Sequence, residues 1–221
     1  MLVAENIHKK YLHHVLKGVS FKAHKEEIIG IAGENGSGKS TLLSALSGNL
    51  IPDDGNVTIE GKVGYVPQES ALFNNLSVKD NLKFWAAAYK QPWKDVLPIV
   101  SGILPDDSDF FKKRVLHLSG GMKKRLSIAL ACLNSPEYLI MDEPTAALDI
   151  GFKGVLAQLM QKIRNEGKGV IFSSHQPDEL LWCDRIYILR DGIFVYEGDP
   201  NKLGNLADAL YGGKYDFNDA H

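Results

Sequence analysis

Eight consecutive residues, Gly33-Glu34-Asn35-Gly36-Ser37-Gly38-Lys39-Ser40, read G-x-x-x-x-G-K-S, and Thr41 follows them. The chemistry such a run performs is the capture of phosphate. Its glycines let the backbone curl until successive N–H groups point inward as an anion nest. Lys39 can reach the β- and γ-phosphates of a bound nucleotide, and the Ser40 hydroxyl can ligate Mg²⁺. The flanks agree with this use. The apolar run Ile28-Ile29-Gly30-Ile31-Ala32 precedes the loop and the helix-like Thr41-Leu42-Leu43-Ser44-Ala45-Leu46 follows it. The order is therefore strand, loop, helix, and the helix N-terminus adds partial positive charge to the nest. The implied ligand is a nucleoside triphosphate.

A triphosphate site of this kind also needs carboxylates. Tyr138-Leu139-Ile140-Met141-Asp142-Glu143 is an apolar strand that ends in two of them. In a parallel sheet the strand C-termini face the ligand crevice. Asp142 suits holding Mg²⁺, and Glu143 suits orienting and deprotonating the attacking water.

The remaining chain must position these groups. Short strands are expected at 2–7, 18–24, 27–32, 57–60 and 63–66, with a polar turn around Lys9 to His14 and a second turn at Pro52-Asp53-Asp54-Gly55. Helices are expected from Ser77, as N-cap, through the Tyr89 region, from about Trp93 to Ile103, and from about Gly120 to Leu133. Strands return at 138–141, 169–173, 185–189 and 193–196, with helices at about 151–165 and 177–182. Alternating strands and helices predict an α/β fold built on a largely parallel sheet. Residues 1–221 then form one domain, with 1–70 and 135–221 as the nucleotide-binding core and 71–134 as an inserted helical block. The polar run from Gly212 to His221 is expected to fray.

Composition excludes several alternatives. The net charge of −2 gives no global pull toward nucleic acid or anionic lipid. The basic clusters Lys112-Lys113-Arg114 and Lys123-Lys124-Arg125 read as solvated helix surface. Cys132 and Cys183 lack metal-ligand spacing, and Cys132 reads as a small buried hydrophobe. The N-terminus has no apolar signal region and no run approaches a bilayer span, so no direct membrane insertion is expected.

Leu118-Ser119-Gly120-Gly121-Met122 lies just before the third expected helix and upstream of the Asp142-Glu143 strand. With the phosphate loop, this arrangement resembles the ATPase subunit of an ATP-binding cassette (ABC) transporter, whose signature L-S-G-G-Q occupies that place. The resemblance covers about residues 2 to 200. It implies a P-loop core with an N-terminal antiparallel β element and an inserted helical subdomain, using ATP and Mg²⁺. Tyr11 resembles the aromatic that stacks on adenine, and Val15 the apolar residue beside it. Gln68 resembles the glutamine that senses Mg²⁺ and the γ-phosphate. Ala147-Leu148-Asp149 resembles the loop that crosses between subunits, and His175 the histidine that contacts the γ-phosphate. Met122 stands where the signature has Gln. A Met there followed by basic residues resembles the branch that serves exporters.

Ser119 and the Gly120 and Gly121 N–H groups open a helix and form a second anion site. By resemblance, one chain's two phosphate surfaces cannot meet on one nucleotide. Two subunits arranged head to tail, as a homodimer or a heterodimer, would bury two ATP between them. The expected activity is ATP hydrolysis that drives a separate membrane permease, with the chain peripheral on the cytoplasmic face. Leu72, Phe73, Leu76 and Phe84 are candidates for the permease groove, and packing within the helical block suits them equally. A soluble ABC ATPase, as in metal-cluster assembly, is the alternative. A small-molecule kinase or a GTPase leaves Leu118 to Met122 unexplained, and Asn201-Lys202-Leu203-Gly204 lacks the Asp of a guanine-reading motif.

Overall fold

Alternating apolar residues pair the first two strands. In β1 (Leu2–Lys10) Leu2, Ala4 and Ile7 turn inward, and in β2 (His14–Ala23) Leu16, Val19, Phe21 and Ala23 do. The two are antiparallel, and β4 (Asp54–Ile59) pairs with the other edge of β1. The computed structural model describes residues 1–146, 148–203 and 206–211. Ala147 and the run from Gly212 to His221 lie outside the described residues, so the expected fraying falls there.

The second sheet contains β3 (Ile28–Ala32), β5 (Val63–Val66), β6 (Tyr138–Met141), β7 (Gly169–Ser174), β8 (Arg185–Arg190) and β9 (Ile193–Gly198), in the order β5-β6-β7-β3-β8-β9. Every pairing is parallel except β8 with β9. Every residue of β3, β6 and β7 is buried, which is why these strands read as unbroken apolar runs rather than alternations. Tyr138 and Ile140 of β6 join one hydrophobic core with the antiparallel sheet, while Leu139 and Met141 join the other with the helical block. The sheet is thus covered on both faces.

Register decides the site. Val66 pairs with Met141, Met141 with Phe172, and Ala32 with Ser174. Four adjacent parallel strands therefore deliver Gln68, Asp142, His175 and Gly33 to one edge of the sheet.

Helix α1 (Lys39–Leu46) leaves the phosphate loop, and α2 (Val78–Ala88) starts at the expected cap, with Ser77 Oγ accepting the Asp80 N–H at 3.0 Å. Helix α3 (Trp93–Val100) is shorter than expected. Pro98 weakens its last turn, and Gly102 at φ +81° turns the chain away. α4 (Ser108–Lys112) was not foreseen, because five residues carry no period. α5 (Gly120–Cys132) buries Leu126, Ile128 and Ala129 completely. α6 (Ile150–Asn165) and a short α7 (Pro177–Leu180) complete the expected set, and a further helix, α8 (Leu206–Tyr211), packs Ala209 and Leu210 into the core.

The Lys123-Lys124-Arg125 cluster is not a solvated face. Lys124 is only 4% exposed, and Arg125 lies over the Phe152 ring at 4.1 Å while its Nε donates to the Ile103 carbonyl at 2.7 Å. Long stems let both side chains reach inward past the apolar surface, which a charge count along the sequence does not register.

Candidate functional site

The phosphate loop is held by backbone geometry that only glycine tolerates. Gly33 has φ +150°, and a Cβ there would stand 2.3 Å from the Leu189 carbonyl oxygen. Gly38, at φ +110°, caps α1 without a side chain and lies against the Val15 carbonyl. Lys39 is buried, and its Nζ donates to the carbonyls of Gly33 and Glu34, both at 2.9 Å. Burial pushes its pKa down, while the charges of Glu143 and Asp142 oppose that shift. Ser37 Oγ is buried with no hydrogen-bond partner among the described residues. A free hydroxyl in an anion nest suits a phosphate ligand.

A cleft of about 400 Å³ opens above this loop. Tyr11, Val15, Asn35, Gly36, Gly38, Lys39, Ser40, Thr41, Gln68 and Glu143 line it, while Gly33, Glu34 and Ser37 line a separate cavity of about 160 Å³ with Leu189 and Arg190. Tyr11 is 58% exposed, with Lys9 Nζ over its ring at 5.8 Å from the centroid.

The carboxylates take different environments. Asp142 is buried, and its Oδ1 accepts the Ser173 hydroxyl proton at 2.6 Å. Ser173 Oγ in turn accepts the Glu143 N–H at 2.9 Å. Glu143 sits at φ +42°, a left-handed conformation that costs an L-residue about 1–2 kcal/mol. This bend at the end of β6 turns its side chain between two neighbours. Glu143 Oε2 lies 3.4 Å from Gln68 Nε2, and Oε1 lies 3.5 Å from His175 Nδ1.

Behind His175 lies a buried network that sequence reading missed. Glu179, 2% exposed, accepts hydroxyl protons from Thr145 at 2.7 Å and Ser174 at 2.6 Å, and pairs with Lys153 at 2.9 Å. Lys153 also donates to Gln176 Oε1 at 3.0 Å. The only available signal was Ser173-Ser174 closing an apolar strand.

The signature residues stand elsewhere. Ser119 Oγ caps α5 by accepting the Met122 N–H at 3.3 Å, Leu118 is buried, and Ser119 and Gly120 are exposed. None of Leu118 to Met122 lines the phosphate cleft. In the expected crossing loop, Ala147 lies outside the described residues, Leu148 is partly buried, and Asp149 caps α6 by accepting the Phe152 N–H at 2.9 Å. Ile150, next to it, is 90% exposed.

Between the helical block and the sheet lies a groove of about 430 Å³ that includes Tyr65, Pro67, Ala71, Trp85 and Tyr89. Phe73 meets Phe84 edge-on at 4.7 Å, and Phe84 meets Trp85 at 5.7 Å. Phe73, Leu76 and Phe84 remain exposed, while Leu72 packs against the core. Trp85 Nε1 is buried with no partner among the described residues. No helix among those residues is long and apolar enough to cross a membrane.

The ABC transporter family matches residues 16–146. The Linearmycin resistance ATP-binding protein LnrL of Bacillus subtilis is 37% identical over 224 residues, covering 92% of this chain and 70% of that protein. The Nod factor export ATP-binding protein I of Rhizobium etli is 32% identical over 219 residues, covering 90% of this chain and 69% of its own length. Of two longer Dictyostelium discoideum relatives the chain spans less than a third, 29% and 28%. Among solved structures, a dimeric post-hydrolysis state of the ATP-binding cassette MJ0796 bound to ADP and Pi superposes with a TM-score of 0.84 at 27% identity, covering 90% of this chain and 99% of that one. The phosphate cradle, the strand-end carboxylates and these likenesses agree, and the chain belongs to the ABC transporter family as an ATP-binding, ATP-hydrolysing cassette.

Proposed function

We propose that this chain is the motor subunit of an exporter, hydrolysing ATP to drive a separate membrane permease from the cytoplasmic face. The observation that carries the reading is the contact of one carboxylate, Glu143, with both Gln68 and His175 at the mouth of the phosphate cleft. Relatives that are named for resistance and for export support the direction of transport.

On this reading Lys39 leaves the Gly33 and Glu34 carbonyls and turns its charge to the β- and γ-phosphates, while the loop N–H groups hold the rest. Tyr11 stacks on adenine beside Val15. Glu143 accepts the proton of the attacking water, Gln68 orients that water, and His175 contacts the γ-phosphate. Among the described residues no three His, Cys, Asp or Glu groups gather into a metal cage. Ser40, Gln68 and Asp142 fit an ion that takes its other ligands from phosphate oxygens and water. Bound Mg²⁺ would neutralise charge that develops on the phosphates.

The phosphate cleft and the Ser119 surface lie apart in one chain, which supports a head-to-tail pair of cassettes, each signature facing its partner's ATP. The loop holding Ala147, Leu148 and Asp149 would cross between them. The groove beside Trp85 is assigned to a cytoplasmic helix of the permease. Its aromatic walls and the unused Trp85 N–H suit an amphipathic helix that ends in free carbonyls.

A tagged pull-down from mild-detergent extracts of the native host's membranes tests the assignment. Recovery of a polytopic membrane protein at near-equal stoichiometry is expected. Recovery of soluble partners alone would overturn the transport role and leave the ATPase chemistry standing.

A further inference from the structure

A buried lysine is costly unless the fold uses it, because water must be stripped from the ammonium group. Lys124 is such a residue. It sits on α5, five residues beyond the Ser119 cap, and is 4% exposed. Among the described residues it makes no ion pair. Its Nζ donates instead to two main-chain carbonyls of another segment, Gln68 O at 2.7 Å and Pro67 O at 3.0 Å. Burial lowers its pKa, and the charges of Asp142 and Glu143 act against that, so the ammonium stands within the field of the site.

These bonds complete a continuous series. The Gln68 side chain donates toward Glu143, and the Gln68 carbonyl is gripped by Lys124. Lys124 belongs to the helix whose first turn displays Ser119 and Gly120. Leu126, Ile128 and Ala129 of α5 are fully enclosed, so the grip and the cap sit on one closely packed helix. Five residues of helix separate the grip from the signature cap, about 7.5 Å of rise.

We propose that Lys124 is a positioning residue that ties the Gln68 loop to the signature helix. Movement of Gln68 toward the nucleotide and turning of the Ser119 surface toward the partner's nucleotide then occur as one displacement. The inference rests on the roles proposed above for Gln68 and Ser119. It assigns to one side chain, Lys124, the bonds through which those two movements are joined. The same lysine therefore does more than satisfy two loop carbonyls.

A double-mutant cycle on the full chain tests the link, with steady-state ATPase assays and fluorescent ATP-analogue binding for Lys124→Met, Gln68→Ala and the pair. Two elements in series are expected to be non-additive. Lys124→Met should hold analogue affinity within about twofold and lower kcat by about tenfold or more. The double variant should turn over no more slowly than the slower single variant. Lys124→Gln keeps an N–H donor of shorter reach. It should recover part of kcat, and it replaces the Met variant in the cycle if that one fails to fold. Multiplication of the two single effects, or a rise in KM at unchanged kcat, would overturn the link while sparing Gln68. Wild-type turnover by Gln68→Ala would instead remove the role of Gln68 itself, and the link with it.

Discussion

The hydroxyl of Ser173 lies 2.6 Å from Asp142 Oδ1 and donates its proton there, while its lone pair takes the N–H of Glu143 at 2.9 Å. One side chain on β7 thereby fixes both carboxylate residues at the end of β6. Ser173→Ala would leave a buried carboxylate oxygen and a backbone N–H without this partner, a loss of about 1–3 kcal/mol. Thermal unfolding should register that loss, and kcat should fall about tenfold with KM little changed, since the Glu143 bend is no longer held. Unchanged kcat would show that the bend keeps itself in place.

Glu143→Gln removes the proton acceptor and keeps the contacts to Gln68 and His175 nearly isosteric. Turnover should drop by about 10²–10⁴-fold while ATP binding persists. Gel filtration with ATP should then give a dimer that is absent without it. Turnover near the wild-type rate would remove Glu143 from the role of base.

Ile150 stands 90% exposed beside the Asp149 cap of α6, at the edge of the proposed crossing loop. A bare aliphatic side chain there has a use if a second cassette covers it. In the Glu143→Gln background, Ile150→Lys should weaken the ATP-dependent dimer about tenfold or more, equivalent to about 1.4 kcal/mol. Sedimentation equilibrium at a series of concentrations reads this. An unaltered dimer would place Ile150 outside the interface.

Glu179 binds Thr145, Ser174 and Lys153 from three different segments. Glu179→Ala strands those partners and should cost roughly 3 kcal/mol in urea unfolding, the lower part of the range for a broken buried pair, because Lys153 keeps some access to water. Glu179→Gln retains an acceptor for the hydroxyls and should cost clearly less. Equal losses would mean that the ion pair, and not the hydroxyl contacts, holds the network.

Cys132 borders a cavity of about 280 Å³ with Pro98, Ile103 and Ile163, and burial pushes its thiol from an ordinary 9.0 up to about 12. The folded chain keeps this proton while the unfolded chain loses it near pH 9. The contribution to stability is thus complete below pH 9 and fades as pH rises toward 12. In a Cys183→Ser variant, iodoacetamide should alkylate native Cys132 at pH 8 about a thousandfold more slowly than the unfolded chain, following the thiolate fraction. Equal rates would refute the raised value.

The parts of the site that depend on a local pattern were legible in the sequence. Gly33 to Ser40 and the apolar strand ending at Asp142-Glu143 each carry their own signal, and the parallel sheet that aligns them follows from alternating elements. What the residues could not reveal depends on contacts between distant segments. Ser173 reads as the tail of an apolar strand, and only the β6–β7 register gives it two partners. Lys124 reads as surface because its neighbours are basic, yet its stem reaches the Gln68 carbonyl 56 residues away. Helices α4 and α8 were missed because five or six residues span too few turns for a period to emerge.

The bonds from Lys39 to the Gly33 and Glu34 carbonyls make the loop its own brace. The cation at one end of the curl is anchored to the backbone at the other, so the side chain offered to phosphate is also a strut of the cradle. A Lys39→Ala chain would lose both at once, and the curl would then rest on its glycines alone.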